Sequence, residues 1–152
     1  MRAHLQRVTY GSVKIDGVLV GEIQSGFVIL LGVKNDDTSK DIDYLVDKIC
    51  GMRIFADEDG RFDRSLEDVG GSTLIISQFT LYADTRKGRR PGFTDSARPE
   101  IAIPLYEEFI EKFKARSIPV QAGQFGADMK VEIHNDGPVT ILIDSEDKIK
   151  RN

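Results

Sequence analysis

The chain has 152 residues, 40% of them apolar and 30% charged, a formal net charge of −4 and a single cysteine. This is the length of one ordinary domain, able to bury a core without staples, and its slight acidity argues against a general nucleic-acid binder, whose footprint is an overall basic domain. Cys50 alone cannot form an internal disulfide, which points to a reducing cytoplasm; no apolar run reaches bilayer length and the N-terminus lacks the apolar stretch of a signal peptide, so no membrane partner is expected.

No repeat, low-complexity segment or linker interrupts residues 1–152, which read as a single domain. "HLQRVTYGSVKIDGVLVGEI" alternates apolar and polar residues on both sides of Asp16-Gly17, a pair suited to the positive φ angles of a hairpin turn. "GFVILLGV" (Gly26–Val33) is an apolar run of strand length, expected to be buried on both faces. The period then switches. Ile42, Leu45, Val46 and Ile49 share one helical face, with Thr38 or Ser39 able to cap the start and Cys50 expected as a small core residue. "MRIFADEDGRFDRSL" reads as a strand followed by an acidic glycine turn, in which Asp57, Glu58 and Asp59 lack the spacing of a calcium loop.

"GGSTLIISQFTLYAD" is expected to be another continuous strand. After a basic loop, Ala102, Leu105, Tyr106, Phe109 and Phe113 line the inner face of an amphipathic helix. Pro99 suits its first turn, and Pro104 should kink it or mark its true start. "MKVEIHNDGPVTILIDSED" reads as two strands joined at Asn135-Asp136-Gly137-Pro138, and the tail "KIKRN" is expected to fray. The order strands, helix, strands, helix, strands implies an α/β domain: a mixed sheet or partly closed β-barrel covered by two helices.

The familiar chemical motifs are missing. The two histidines, His4 and His134, are far apart, and no HExxH, cysteine pair, GxGxxG, P-loop or GxSxG is present. No metal and no cofactor is expected. Three constellations remain. Ser77, Gln78, Phe79 and Thr80 could surround a carbonyl with hydroxyls, an amide and backbone N–H groups; residue types alone favour the plainer reading, with Phe79 core, Thr80 an ordinary strand former and Gln78 solvated. Asn135-Asp136-Gly137-Pro138 could be a plain hairpin turn, although Pro138 removes a donor where a strand should begin, and rigid carbonyls there could act as a steric gauge. Arg86, Lys87, Arg89 and Arg90 put four cations into five residues, more than a solvated turn needs, and suit phosphate contact.

Taken together, "SQFTLYAD" with "TRKGRRPGF", and "NDGPVT" further on, resemble the two signatures of the D-aminoacyl-tRNA deacylase family. "QRV" at Gln6–Val8, "PLYEEF" at Pro104–Phe109 and "FGADM" at Phe125–Met129 also fit, so the resemblance spans essentially the whole chain. It implies a hydrolase that removes D-amino acids wrongly esterified to tRNA. It also implies a homodimer in which the partner chain completes each active site. By the same resemblance Ser77, Gln78, Phe79 and Thr80 form the catalytic pocket for the aminoacylated terminal adenosine. Gly137 and Pro138 are the cis Gly-Pro element that enters the neighbouring pocket, Arg7 supports that element, and Met129 belongs with the substrate-binding residues. Gly92 stands where the family commonly has a serine. The basic loop residues Arg86, Lys87, Arg89 and Arg90 would meet the phosphates of the tRNA acceptor end. The residues leave two other classes open: a non-catalytic RNA-binding module, and a small-ester hydrolase with no RNA partner.

Overall fold

A computed structural model describes residues 1–151, with side chains through Lys148. Strands β1 (Arg2–Ile15) and β2 (Val18–Ile23) form the expected hairpin, with Asp16 and Gly17 both at positive φ, 50° and 77°. Such a turn matches the natural twist of paired strands. The N-terminal half of β1 pairs with β3 (Gly26–Gly32) and its C-terminal half with β2. Parallel to β3 runs β6 (Ser72–Ser77), and parallel to β6 runs the short β7 (Val120–Ala122). β2 folds over to meet β7, where a methyl on Gly21 would touch the Ala122 carbonyl and Gln121. The sheet is thereby a nearly closed barrel.

The unbroken apolar runs of β3 and β6 are explained by two cores. Phe27, Ile29, Leu31 and Ile75 face the helices, whereas Val28, Leu74 and Ile76 face the barrel interior with Val8, Val13 and Ile23. On the helical side lie α1 (Ser39–Gly51) and α3 (Pro99–Ala115), bringing Ile42, Leu45, Ile49, Phe109 and Phe113 into full burial. Each such side chain contributes about 1.5–3 kcal/mol of transfer free energy. Thr38 is the N-cap of α1, and Asp41 returns the bond to the Thr38 N–H in a capping box. Cys50 is fully buried in this layer, and burial pushes its thiol up to about 12, so it is core. Pro104 is inside α3 rather than at its start. It is exposed, and as the sixth residue of the helix it removes the one N–H that would have bonded the Glu100 carbonyl.

Between α1 and β6, β4 (Phe55–Ala56) and β5 (Phe62–Arg64) make a small separate ribbon, followed by the single-turn α2 (Leu66–Val69). The Asp57 carboxylate accepts from the Asp59 and Arg61 N–H groups, so it closes the acidic turn it belongs to.

Two expectations are corrected. β6 ends at Ser77, and Phe79–Tyr82 is a 3₁₀ turn rather than more strand. The other correction is larger: residues 130–144 form one strand, β8 (Lys130–Asp144), not two strands around a turn. Its first part pairs with Val8–Lys14 and its last part with Arg2–Gln6 of β1, with register shifts between. The Asn-Asp-Gly-Pro stretch is therefore a bulge. Positive-φ glycine and donor-free proline serve a bulge as well as a turn, and the Asn135 side chain replaces the missing ladder: its Oδ1 accepts from the Val139 N–H at 2.9 Å and its Nδ2 donates to Thr140 Oγ1 at 3.0 Å. Past β8, Ser145–Arg151 is 3₁₀ helix and Lys148 is bonded to Asp41; of the tail expected to fray, the side chains from Ile149 on and all of Asn152 lie outside the described residues.

Candidate active site

The end of β6 opens into a cavity of about 310 Å³. Ser77, Gln78 and Phe79 form one wall, Met129 and Phe125 another, and Tyr106 reaches in from α3. The wall is anchored. The Gln78 N–H donates to the Leu31 carbonyl at 2.8 Å, extending the β3–β6 ladder by one bond. Tyr106 donates its hydroxyl to the Ile75 carbonyl at 3.0 Å, and burial pushes its phenol up to about 12. Gly123 lies behind this wall: a methyl there would lie 2.4 Å from Met129 Sδ and 3.2 Å from Ile76 Cδ1, both on side chains that line the cavity.

Gln78 begins the 3₁₀ turn. Among the described residues, the N–H groups of Phe79 and Thr80 find no intramolecular acceptor, the usual state of a helix start. Phe79 lines the cavity, and two adjacent free backbone donors are suited to a carbonyl oxygen that gains charge. The Thr80 hydroxyl accepts from the Gln78 side-chain amide, and Thr80 does not line the cavity. Neither His4 nor His134 lines it either; His134 is bonded to Glu132, and its ring lies tilted against Tyr10 with centroids 5.2 Å apart. Phe79 is 56% exposed, not core.

Gly137 and Pro138 lie elsewhere. Their peptide is cis, both residues are exposed, and neither touches the cavity of its own chain. Gly137 has φ 118°, and a methyl there would lie 2.9 Å from Val139 and 3.1 Å from the Arg7 guanidinium. Arg7 lies beneath. It is buried, donates to the Ile54 carbonyl at 2.6 Å, and forms an ion pair with Asp136 at 3.3 Å whose geometry falls short of a hydrogen bond. Its guanidinium also faces the Phe62 ring at 5.5 Å.

The basic loop leaves the rim directly. It is closed at its base by paired backbone bonds between Asp84 and Gly92, of 2.7 and 2.9 Å. Arg86 is bound to Asp84 through its backbone N–H and two guanidinium bonds, which hold the Asp84 carboxyl at about 2. Lys87, Arg89 and Arg90 are exposed. Thus the structure brings Ser77, Gln78, Phe79 and Met129 together with the basic loop beside them, and keeps Arg7, Gly137 and Pro138 apart. Sequence reasoning missed Ser96 and Ala97, which also line the cavity and carry no signal of their own, and the pocket role of Ala102 and Tyr106. The last two were legible only as the apolar face of α3.

Residues 4–144 match the family described as D-Tyr-tRNA(Tyr) deacylase. A protein of Clostridioides difficile (strain 630) named D-aminoacyl-tRNA deacylase is 55% identical over 95% of this chain and 97% of its own. One of the same name from Fervidobacterium nodosum is 58% identical over 96% and 98%. Among solved structures, c-Myc DNA Unwinding Element Binding Protein superposes with a TM-score of 0.90 at 39% identity, covering 95% of this chain and 98% of that one. A probable eukaryotic D-amino acid tRNA deacylase superposes with a TM-score of 0.80 at 20% identity, over 94% and 98%, and shares the fold. Among the described residues no helix is long and apolar enough to cross a membrane. The chain belongs to the D-Tyr-tRNA(Tyr) deacylase family, hydrolases of the ester that joins a D-amino acid to tRNA.

Proposed function

We propose that this chain proofreads the chirality of charged tRNA as a single-domain, cytoplasmic homodimer, each cavity being completed by Gly137 and Pro138 of the partner subunit. The observation that carries the reading is the division just described: a hollow at the end of β6, and an exposed, braced projection on β8 that does not reach it within one chain. In this reading the aminoacylated terminal adenosine enters the hollow. The carbonyl oxygen of the ester takes the free N–H groups of Phe79 and Thr80, and water attacks. An ester needs less help than an amide, so orientation and two donors suffice. The ribose 2′-hydroxyl of the substrate assists, as the family resemblance implies. Thr80 positions rather than attacks: its hydroxyl receives a bond from Gln78, and no base stands beside it to take its proton.

Discrimination works by exclusion. An L side chain runs into the Gly137-Pro138 carbonyls, whereas a D side chain points away. Selectivity among D side chains is therefore weak, and glycine, with nothing to exclude, is accepted. Lys87, Arg89 and Arg90, with Arg86 beside them, meet the acceptor-end phosphates.

The decisive experiment is hydrolysis of matched D- and L-tyrosyl-tRNA by the purified protein with chelator present. Fast loss of the D ester alone is expected. No turnover with salt-sensitive tRNA binding would instead favour a binding module, and loss of both esters would remove the filter. The Arg89→Ala/Arg90→Ala double variant should raise KM for charged tRNA roughly tenfold at moderate salt with kcat retained; full activity on tRNA would favour a small-ester hydrolase.

A further inference from the structure

Phe79 is the cavity's most exposed large apolar side chain among the described residues. A ring so placed would ordinarily sample several rotamers. Two contacts restrain the residue, one at its ring and one at its backbone. The Phe93 ring meets it edge-to-face, with centroids 5.0 Å apart and planes at 63°, an arrangement the ring quadrupoles favour. The Ser96 hydroxyl donates to the Phe79 carbonyl at 3.2 Å.

The segment that supplies both contacts is itself pinned at several points. Gly92 is paired with Asp84, the Asn35 side-chain amide donates to the Thr94 carbonyl at 2.8 Å, and the Ala97 N–H donates to the Val33 carbonyl at 2.9 Å. The same segment closes the basic loop that exposes Lys87, Arg89 and Arg90. One short, tied stretch therefore touches the cationic loop on one side and the cavity rim on the other.

We infer that Phe93 and Ser96 are positioning residues that hold the ring and carbonyl of Phe79 at the cavity rim, so that the loop and the pocket keep one fixed relation. The inference rests on the reading of Phe79 as part of the aminoacyl-adenosine pocket. The Phe79 carbonyl belongs to the same peptide as the Thr80 N–H, so the Ser96 bond restrains that donor's plane and polarises it. Loss of the brace should slow the chemical step and leave tRNA capture intact, because the loop cations are unchanged.

The test is steady-state hydrolysis of D-tyrosyl-tRNA by Phe93→Ala, Phe93→Tyr, Ser96→Ala and Phe79→Ala. For Phe93→Ala, kcat should fall about tenfold with KM within about twofold, since small misplacements of reacting groups are costly. Phe93→Tyr, which keeps the ring edge, should restore most of the rate, and Ser96→Ala should lose roughly threefold. Should Phe93→Ala fail to fold, Phe93→Leu keeps apolar bulk without the ring edge and is read in the same way. A normal kcat in Phe93→Ala beside an impaired Phe79→Ala overturns the inference and leaves the pocket reading standing. A raised KM at unchanged kcat also overturns it, by placing Phe93 in tRNA capture. Normal kinetics in Phe79→Ala remove both the inference and the role of Phe79 in the pocket.

Discussion

At the end of β6 the chain makes a hollow, and in the middle of β8 it makes a projection. The hollow is backed by a strand buried on both faces, and its wall residues arrive from β6, α3 and the stretch before β8. The projection is local and exposed, and it is held from below by one buried arginine and one asparagine. A hollow built by packing is shaped by every neighbour, whereas a projection built by hydrogen bonds depends on few groups. The two should therefore fail differently.

The largest expected effect is on the projection. Arg7→Ala removes the cation from beneath Gly137 and leaves the buried Ile54 carbonyl without its donor. An unpaired buried acceptor costs about 1–3 kcal/mol, so the urea midpoint should drop and rejection of L-tyrosyl-tRNA should relax. A variant as stable and as selective as the parent would show that the projection is not held from below.

The hollow should respond with function before stability. In Gly123→Ala the new methyl meets Met129 Sδ, the end of a flexible side chain. Met129 gives way into the cavity, so kcat/KM should fall about tenfold, the scale of one methyl group in a pocket. Unfolding should change little. A large stability loss with normal kinetics would reverse the assignment.

Acid should weaken both regions together, through the lock between α1 and the end of β8. Burial by itself would raise the Asp41 carboxyl, but bonds from Lys148, the Thr38 N–H and Ser145 outweigh it and hold the group at about 2. A carboxyl depressed in the folded state stabilises above its unfolded value, and that contribution is lost as pH falls from about 4 toward 2. The urea midpoint should decline across that window, and Asp41→Asn should flatten the decline. An unchanged slope in that variant would place the acid sensitivity elsewhere.

The smallest difference lies within the basic loop. Arg86 is already bound to Asp84, whereas Arg89 is exposed and has no such bond among the described residues. Arg86→Ala should change KM for charged tRNA less than about twofold and Arg89→Ala roughly threefold, with matching changes in salt dependence. Equal effects would mean that the Asp84 pair opens when tRNA binds.

Much of this was legible in the residues. Asp16-Gly17, the apolar runs of β3 and β6 and the inner faces of α1 and α3 follow from period and turn chemistry, which are local properties. The cluster Ser77–Thr80 and the loop cations could be named as candidates for the same reason. What needed the tertiary structure was partnership. β8 continues through Asn-Asp-Gly-Pro because β1, fourteen residues long, offers it a ladder on both sides of the bulge. The same four residues without that partner would read as a turn. Phe79 leaves the core because β6 stops where β3 stops pairing with it, and Tyr106, Ser96 and Met129 become neighbours only when α3 and the barrel close around that end. Local sequence sets what each segment can do; which of those options is taken depends on the neighbour that supplies its hydrogen bonds and covers its apolar face.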